Sequence, residues 1–278
     1  MSPVAMASTA LHPENYRYLQ QVVYEGSGIV LDHDKDYLLE VRLGTVARQH
    51  GLRNLNELCA LLRAAGGSTA RREVVEAMTT NETYFFREPA HYDAIRTVLL
   101  PRLRQLRGSP RRLSFWSAAA SSGQEAASLA MLLLEEGFGP WNAQILGTDI
   151  ATRVLDTARA GRYRQIEVNR GLPTPLLLKY FTKDGPDWQL NDEVRRMTRF
   201  ENLDLRGSMQ SLGPFDLVFC RNVLIYFDAA ARRKILENIH GTLLRGGWLL
   251  LGSTEAATDV ADCFERHSIG GTTVYVAR

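Results

Sequence analysis

Two hydrophobic patterns divide the chain. Up to about residue 78 the apolar residues recur at intervals of three or four, as in Tyr16, Leu19 and Val22, and this is the spacing of an amphipathic helix. Glycine-containing turns interrupt the helical stretches at 26–28, at 51 and at 66–69. The pattern predicts a small all-helical N-terminal domain with its linker over residues 1–78.

Beyond this boundary, apolar runs of strand length alternate with helical stretches. The strand-like runs are 113–117, 145–148, 215–220, 247–252 and 272–276. Such alternation predicts a doubly wound α/β domain over residues 79–278, with a mainly parallel sheet covered by helices on both faces. The last run follows a short helical region and paired glycines, so we expect a final hairpin that adds a C-terminal antiparallel strand.

One segment of this domain lacks a clear pattern, because prolines and glycines interrupt it between Arg162 and Arg199. The short runs Trp188–Leu190 and Met197–Phe200 predict a small strand pair. We expect this pair to form a β-subdomain inserted at about 181–200.

Composition excludes several classes of function. The chain has 278 residues, 45% of them hydrophobic, and a formal net charge of +2, so it can bury a sizeable core but is not a general nucleic-acid binder. Cys59, Cys220 and Cys263 are widely separated, so we predict neither a metal site nor disulfides. The first residues lack an export signal and no run is long enough to span or insert into a membrane, so the cytoplasm is the expected location.

The segment Leu113–Leu133 and the strand at 145–150 predict a nucleoside site. A strand is followed by a small-residue loop, a helix, and a second strand that ends at Asp149, whose carboxylate could accept hydrogen bonds from two ribose hydroxyls. The loop has only Gly123 of the dinucleotide pattern GxGxxG, which favours a cofactor with an adenosine but no diphosphate. S-adenosylmethionine is the commonest such cofactor. Alternatively, the small residues only let the helix pack closely on the strand, although Glu125 in the first turn of this helix makes that less persuasive.

Three further segments concentrate polar groups. They are TTNETYFFRE at 79–88, ENLDL at 201–205 and FDLVFCRNVLIYFD at 215–228. The guanidinium of Arg87 could pair with a carboxylate, and the polar break at Arg221 and Asn222 ends a strand where doubly wound folds bind ligands. The competing interpretations are that the Thr and Asn residues cap turns and that Tyr226 is a core residue.

These segments resemble a known family. The motifs NxTxFFRE, WSAAASSGxE, TDI and FCRNVxIYFD, in this order and spacing, are similar to those of the chemotaxis receptor methyltransferases, the CheR family. The resemblance covers about 15–276 and implies a class I methyltransferase fold and a protein-glutamate O-methyltransferase. Such an enzyme transfers a methyl group from S-adenosylmethionine to glutamate side chains of bacterial chemoreceptors and releases S-adenosylhomocysteine.

The resemblance also implies roles for individual residues. The implied cofactor-binding residues are Asn81, Thr83, Arg87, Glu125, Asp149, Asn202, Leu203, Arg221 and Asn222. Arg87 and Tyr226 would lie nearest the transferring methyl group and orient the attacking carboxylate. The chain departs from the family at Gln124, where Glu is common, and at 126–127, where Pro and Tyr are frequent. Because Glu125 is retained, we expect the pocket to survive.

The implied reaction needs no general base, because a substrate glutamate with a pKa of about 4.3 is already ionised near neutral pH. The sulfonium is an activated donor, so the protein's expected contribution is alignment of the reacting atoms and exclusion of water.

The implied partner is the cytoplasmic methylation region of a chemoreceptor, contacted by a basic face that Arg42, Arg48, Arg53 and His50 could form. A solvated helix face is the alternative for these residues. Because the segment 181–200 is short, we expect no use of the C-terminal pentapeptide tether that some family members bind. The alternative to an enzyme is a non-catalytic signalling module that binds S-adenosylmethionine.

Overall fold

The computed structural model describes residues 10–31, 36–64, 66–109 and 111–278, and of Asp36 only the backbone. Residues 1–9, on which the expectation of no export signal partly depends, lie outside these ranges. The chain forms two compact units. The first, here called the helical unit, runs to Thr80 and includes Tyr226–Asp228, and the second, the sheet unit, comprises Asn81–Ile225 and Ala229–Arg278. The sequence pattern placed the boundary after residue 78.

The described part of the helical unit contains four helices: α1 (Pro13–Ser27), α2 (Asp36–Gln49), α3 (Leu55–Arg63) and α4 (Ser68–Met78). Local sequence sets their ends. Pro13 begins α1, and Gly28 ends it with a φ of 74° that glycine adopts without strain. Asn54 caps α3 by accepting a hydrogen bond from the Glu57 N–H at 3.0 Å. The apolar faces meet in one core that includes Leu19, Leu43, Leu58 and Leu62.

The sheet unit begins with a helical segment and continues as alternating strands and helices. Its helices are α5 (Pro89–Ala94), α6 (Leu100–Leu106), α7 (Gln124–Glu135), α8 (Thr152–Ala160), α9 (Gln165–Val168), α10 (Thr174–Tyr180), α11 (Asp192–Arg195) and α12 (Ala229–Thr242). Its strands are β1 (Arg112–Ala118), β2 (Asn142–Asp149), β3 (Arg162–Arg164), β4 (Phe181–Asp184), β5 (Asp187–Leu190), β6 (Thr198–Asn202), β7 (Phe215–Cys220), β8 (Leu243–Leu251), β9 (Phe264–Ile269) and β10 (Thr272–Ala277). A π-helical turn, Ile95–Leu99, joins α5 to α6.

Seven strands form the main sheet in the order β6-β2-β1-β7-β8-β10-β9. The first five are parallel neighbours, and β10 runs antiparallel to both β8 and β9. The predicted doubly wound fold with a C-terminal antiparallel strand is therefore confirmed. Strand β9 was missed because four consecutive residues of FERHSI are exposed, so it shows no apolar alternation.

The prediction that Met197–Phe200 belongs to a small strand pair is wrong. Strand β6 pairs in parallel with β2 at the edge of the main sheet. The Phe200 ring explains this placement, because a Cβ built on Gly147 would lie 2.4 Å from the ring and one on Gly123 would lie 3.1 Å from it. The ring therefore fills the space that the two glycines leave open, beside β2 and the loop between β1 and α7.

A second, small sheet has three antiparallel strands in the order β3-β5-β4. It starts at Arg162 and ends at Leu190, so the predicted insertion at 181–200 is wrong at both ends. Tyr163 and Phe181 are buried and pack against Phe85 in the main core of the sheet unit. Among the described helices, none is both long and apolar enough to cross a membrane.

Candidate functional site

The loop between β1 and α7 is tightly wound and has little side-chain bulk. Ala119, Ser121 and Gly123 have φ angles of 59°, 50° and 89°, in the left-handed region that residues with a Cβ rarely adopt. A Cβ at Gly123 would lie 2.8 Å from the Cβ of Ala158, so this position requires glycine. The winding directs the Ser121 N–H to the end of β2.

Asp149 ends β2 and is 7% exposed. Its Oδ2 accepts a hydrogen bond from the Ser121 N–H at 2.9 Å, and its Oδ1 accepts one from the Ala151 N–H at 2.9 Å. These two backbone bonds fix the orientation of the carboxylate. The geometry supports the use of Asp149 as an acceptor for a ribose diol.

Asn202 and Leu203 lie beside Asp149, since β6 pairs with β2 in the register that places Asn202 opposite Asp149. The Leu203 N–H donates to the Asp149 backbone oxygen at 3.0 Å. The Asn202 side chain donates to the backbone oxygens of Asp149 and Ile150 at 3.1 and 2.8 Å. The structure thus brings these three predicted residues together.

Arg221 follows β7 and its side chain is only 1% exposed. Its Nη1 donates to Glu125 Oε2 at 2.8 Å, and its Nη2 lies 3.1 Å from Glu88 Oε2. Nη2 also donates to the backbone oxygen of Arg87. A buried arginine is tolerated only when its charge is compensated, and here two glutamates supply the compensation.

Charge and burial act in opposition on this cluster. Burial alone lowers the pKa of Arg221, but Glu125 and Glu88 raise it above the ordinary value. Burial raises the pKa of Glu88, but His91, Arg221 and the Ser253 N–H lower it well below the ordinary range. At neutral pH the cluster is therefore an ionised arginine with an ionised Glu88.

Two backbone groups of the segment 81–88 form hydrogen bonds with serine side chains of the β1–α7 loop and of α7. The Asn81 oxygen accepts from Ser121 Oγ at 2.8 Å, and the Phe86 N–H donates to Ser128 Oγ at 2.9 Å. Arg87 is half-buried, and its Nη1 donates to the Glu82 oxygen at 3.0 Å. Thr83 is half-buried on the same segment.

Asn222 and Tyr226 belong to the turn after β7. Asn222 has a φ of 57°. The Tyr226 ring packs against the core of the helical unit, to which Tyr226–Asp228 belongs. Arg87 belongs to the sheet unit, so the structure assigns the two predicted catalytic residues to different units.

Glu88 and Glu255 are site residues that the sequence reasoning missed. Glu88 lies inside the motif TTNETYFFRE but received no role, and it contacts Arg221 and Ser253. Glu255 accepts hydrogen bonds from the backbone N–H groups that follow Arg221. A polar residue after the apolar run that ends at Leu251 was the available signal for Glu255.

Comparison with known families decides the classification. Residues 14–79 match the model described as CheR methyltransferase, all-alpha domain, and residues 81–272 match CheR methyltransferase, SAM binding domain. The chain belongs to the CheR methyltransferase family.

Three proteins with similar sequences are named chemotaxis protein methyltransferases. The chain is 41% identical over 257 residues to Chemotaxis protein methyltransferase 1 of Pseudomonas aeruginosa, covering 90% of this chain and 93% of that protein. For Chemotaxis protein methyltransferase Cher2 of Pseudomonas putida the identity is 38% over 258 residues, covering 90% and 93%. For Chemotaxis protein methyltransferase 1 of Vibrio cholerae it is 36% over 267 residues, covering 94% and 95%.

The family resemblance deduced from the motifs is thus confirmed, and the sheet unit is the S-adenosylmethionine-binding methyltransferase domain of a CheR protein. Across the described ranges, no three His, Cys, Asp or Glu side chains form a group that could hold a metal ion. The expectation that the enzyme uses no metal stays a prediction.

Proposed function

We propose that this protein transfers the methyl group of S-adenosylmethionine to glutamate side chains of bacterial chemoreceptors, giving glutamyl methyl esters and S-adenosylhomocysteine. The observation that carries the proposal is the position of Asp149. A buried, backbone-fixed carboxylate stands at the carboxyl end of β2 beside a wound small-residue loop, in a chain whose relatives are named chemotaxis methyltransferases.

The residues present fit S-adenosylmethionine in two respects. Asp149 offers carboxylate oxygens to a ribose, and no diphosphate-binding glycine pattern competes with that use. The Nε of Arg221 is buried with no hydrogen-bond partner among the described residues, so the site can still satisfy an acceptor there. We assign the ribose to Asp149, the adenine to Asn202 and Leu203, and the amino acid part to Glu125. Arg221 and Asn222 close the site. Asn81, Thr83 and Arg87 line the same site from the segment 81–88.

The cofactor, when bound, supplies an activated methyl group on a sulfonium. The protein's part is to hold the substrate carboxylate in line and to exclude water. Arg87 could orient that carboxylate, since its Nη1 makes one hydrogen bond to a backbone oxygen and the guanidinium keeps other donors. Tyr226 could do so through its hydroxyl. No residue is required as a general base, because the substrate is already ionised.

The decisive experiment is transfer of labelled methyl from S-adenosylmethionine to purified chemoreceptor fragments. We expect base-labile label on glutamate in the unmodified protein and a loss of at least about 100-fold with Asp149→Asn, since the amide replaces an oxygen acceptor by a donor. Asp156→Asn is the matched control, because its carboxylate is 67% exposed on α8. Binding of S-adenosylmethionine without transfer to any receptor fragment would favour a signalling module instead.

The roles of Arg87 and Tyr226 need a separate measurement. We expect Arg87→Ala and Tyr226→Phe to lower turnover while S-adenosylhomocysteine still binds to the Tyr226→Phe variant. Near-normal turnover in both variants would remove the orientation role.

Receptor contact is proposed for the helical unit, with the enzyme and the receptor's methylation region both in the cytoplasm. The three predicted arginines differ in their contacts. Arg42 donates from Nη1 to the Met78 and Thr79 oxygens at 2.7 and 3.2 Å, Arg53 pairs with Glu57 at 2.6 Å, and Arg48 is exposed and donates to Thr45 Oγ1 at 3.0 Å.

The expectation of no pentapeptide tether rested on a short strand pair. The small sheet has three strands and begins at Arg162, so that reason no longer holds. Calorimetry with receptor C-terminal pentapeptides tests it directly: absence of binding supports a tether-independent enzyme, and micromolar binding contradicts it.

A further inference from the structure

The turn after β8 contains a carboxylate that collects four backbone N–H groups. Glu255 Oε2 accepts from Asn222 at 2.6 Å and from Gly252 at 2.8 Å. Its Oε1 accepts from Val223 at 2.9 Å and from Leu224 at 2.7 Å. Backbone N–H groups thus occupy all the acceptor positions of this carboxylate. Three of the four donors directly follow Arg221.

These donors would otherwise lack partners. The 3₁₀ helix Leu224–Tyr226 begins at this point, and the first N–H groups of a helix have no acceptor within it. Asn222 is held with a φ of 57°, a conformation that costs a non-glycine residue free energy unless its surroundings enforce it. The Glu255 carboxylate both satisfies the donors and holds the left-handed turn.

The same turn supports Arg221 by a second route. The Ser253 N–H and Oγ donate to Glu88 Oε1 at 3.2 and 3.0 Å, and Glu88 Oε2 lies 3.1 Å from Arg221 Nη2. Glu255 therefore fixes the backbone after Arg221, and Ser253 of the same turn fixes the carboxylate that pairs with the Arg221 side chain.

Close packing leaves no room for a side chain at Gly252. A Cβ built on Gly252 would lie 2.5 Å from Asn222 Nδ2 and 2.8 Å from Glu255 Oε2. Any side chain at this position would displace Asn222 or the carboxylate, so position 252 accepts only glycine without a shift.

We propose that Glu255 is a positioning residue for the cofactor site, which sets Arg221 and Asn222 by holding the N–H groups of the turn between β7 and the 3₁₀ helix. The proposal rests on the proposed function, in which Arg221 and Asn222 bind the cofactor. Glu255 acts through these two residues and has no assigned contact with the cofactor.

The test compares Glu255→Gln and Gly252→Ala with Glu167→Gln. The glutamine keeps one acceptor oxygen and turns an amide donor toward two N–H groups, and the alanine displaces Asn222 while the carboxylate remains. Glu167 is the matched control, because its carboxylate accepts from the Arg164 N–H at 2.9 Å and caps the short helix α9. For each variant we measure S-adenosylhomocysteine affinity by calorimetry, kcat and KM for S-adenosylmethionine, and the thermal unfolding midpoint.

A further readout needs no cofactor: hydrogen exchange at the amides of residues 222–224 in the cofactor-free protein. We expect both Glu255→Gln and Gly252→Ala to bind S-adenosylhomocysteine at least about tenfold more weakly, with a raised KM and faster exchange at these amides. Glu167→Gln should bind within about twofold of the unmodified protein. The tenfold loss corresponds to about 1.4 kcal/mol.

Unchanged affinity in both variants, with only a lower unfolding midpoint, would overturn the positioning role and leave the proposed function standing. Slow exchange at residues 222–224 in Glu255→Gln would overturn it as well. If the unmodified protein itself fails to bind S-adenosylhomocysteine, the proposed function fails, and the exchange measurement still decides whether Glu255 holds the turn.

Discussion

The helical unit and the sheet unit each contain an arginine paired with glutamate, but at opposite extremes of burial. Arg53 in the helical unit is 73% exposed and pairs with Glu57 at 2.6 Å. Arg221 in the sheet unit is 1% exposed and pairs with Glu125 and Glu88. Water solvates an exposed arginine that loses its partner. A buried arginine that loses a partner keeps a charge that neither water nor another group compensates. Two ion pairs with similar N···O distances can therefore differ widely in what their removal costs in stability.

The largest expected effect is that of Arg221→Met. The change leaves Glu125 and Glu88 without their shared cation, and removal of one member of a buried ion pair costs about 3–5 kcal/mol. Denaturant unfolding of the purified variant measures this loss, and calorimetry should detect no S-adenosylhomocysteine binding. A free energy of unfolding within about 1 kcal/mol of the unmodified protein would mean that the cluster is not stabilising in the way its burial implies.

The next effect concerns pH and tests Glu88. The folded-state pKa of Glu88 lies below its unfolded value, so its contribution to stability is fully present above the unfolded pKa of about 4.3 and is lost as the pH falls through the folded pKa. The stability advantage of the unmodified protein over Glu88→Gln should therefore be constant from about pH 6 to pH 8 and shrink below about pH 4. An advantage independent of pH over the whole range would assign the effect to packing and not to charge.

A smaller effect is expected for Arg42→Met in the helical unit. Arg42 donates to the Met78 and Thr79 oxygens at the C-terminal end of α4. These acceptors are neutral backbone groups of a buried and a half-buried residue. Loss of such bonds should cost about 1–2 kcal/mol, measured as a lower unfolding midpoint. If Arg42 only stabilises the end of α4, receptor methylation by the folded variant should stay normal. A specific loss of receptor affinity would show that Arg42 belongs to the basic face that contacts the receptor.

The smallest effect is expected for Arg53→Met, which removes the exposed pair with Glu57. Surface pairs contribute about 0–1 kcal/mol, so unfolding should be almost unchanged and the small difference should vanish in high salt. A cost approaching that of Arg221→Met would contradict the distinction between the two units.

The sequence predicted the parts of the site that follow from strand ends. Asp149 and Arg221 each stand where an apolar run stops, and parallel strands bring such ends to one edge of the sheet. Gly123 and its small neighbours could likewise be assigned, from composition alone, to a loop whose backbone a ligand can approach closely.

The partners of these residues could not be predicted in the same way. Glu88 and Arg221 are 133 residues apart, and their contact depends on the packing of α5 against strands whose order periodicity does not specify. Strand β6 was misassigned because its residues alternate only between exposed and half-buried, so its membership of the main sheet follows from contact with β2 and not from its own pattern. The exposed strand β9 was missed for the same reason.

The Phe200 ring against Gly123 and Gly147 has a consequence for how such sequences can diverge. Enlarging Gly147 to alanine is blocked by a ring 2.4 Å from the new methyl carbon, yet the obstacle disappears if residue 200 shrinks at the same time. Homologous enzymes should therefore vary at 147 and 200 in a compensatory manner: a larger side chain at 147 in β2 should accompany a smaller one at 200 in β6. The loop between β1 and α7 shares this coupling, because a Cβ at Gly123 would lie 3.1 Å from the same ring.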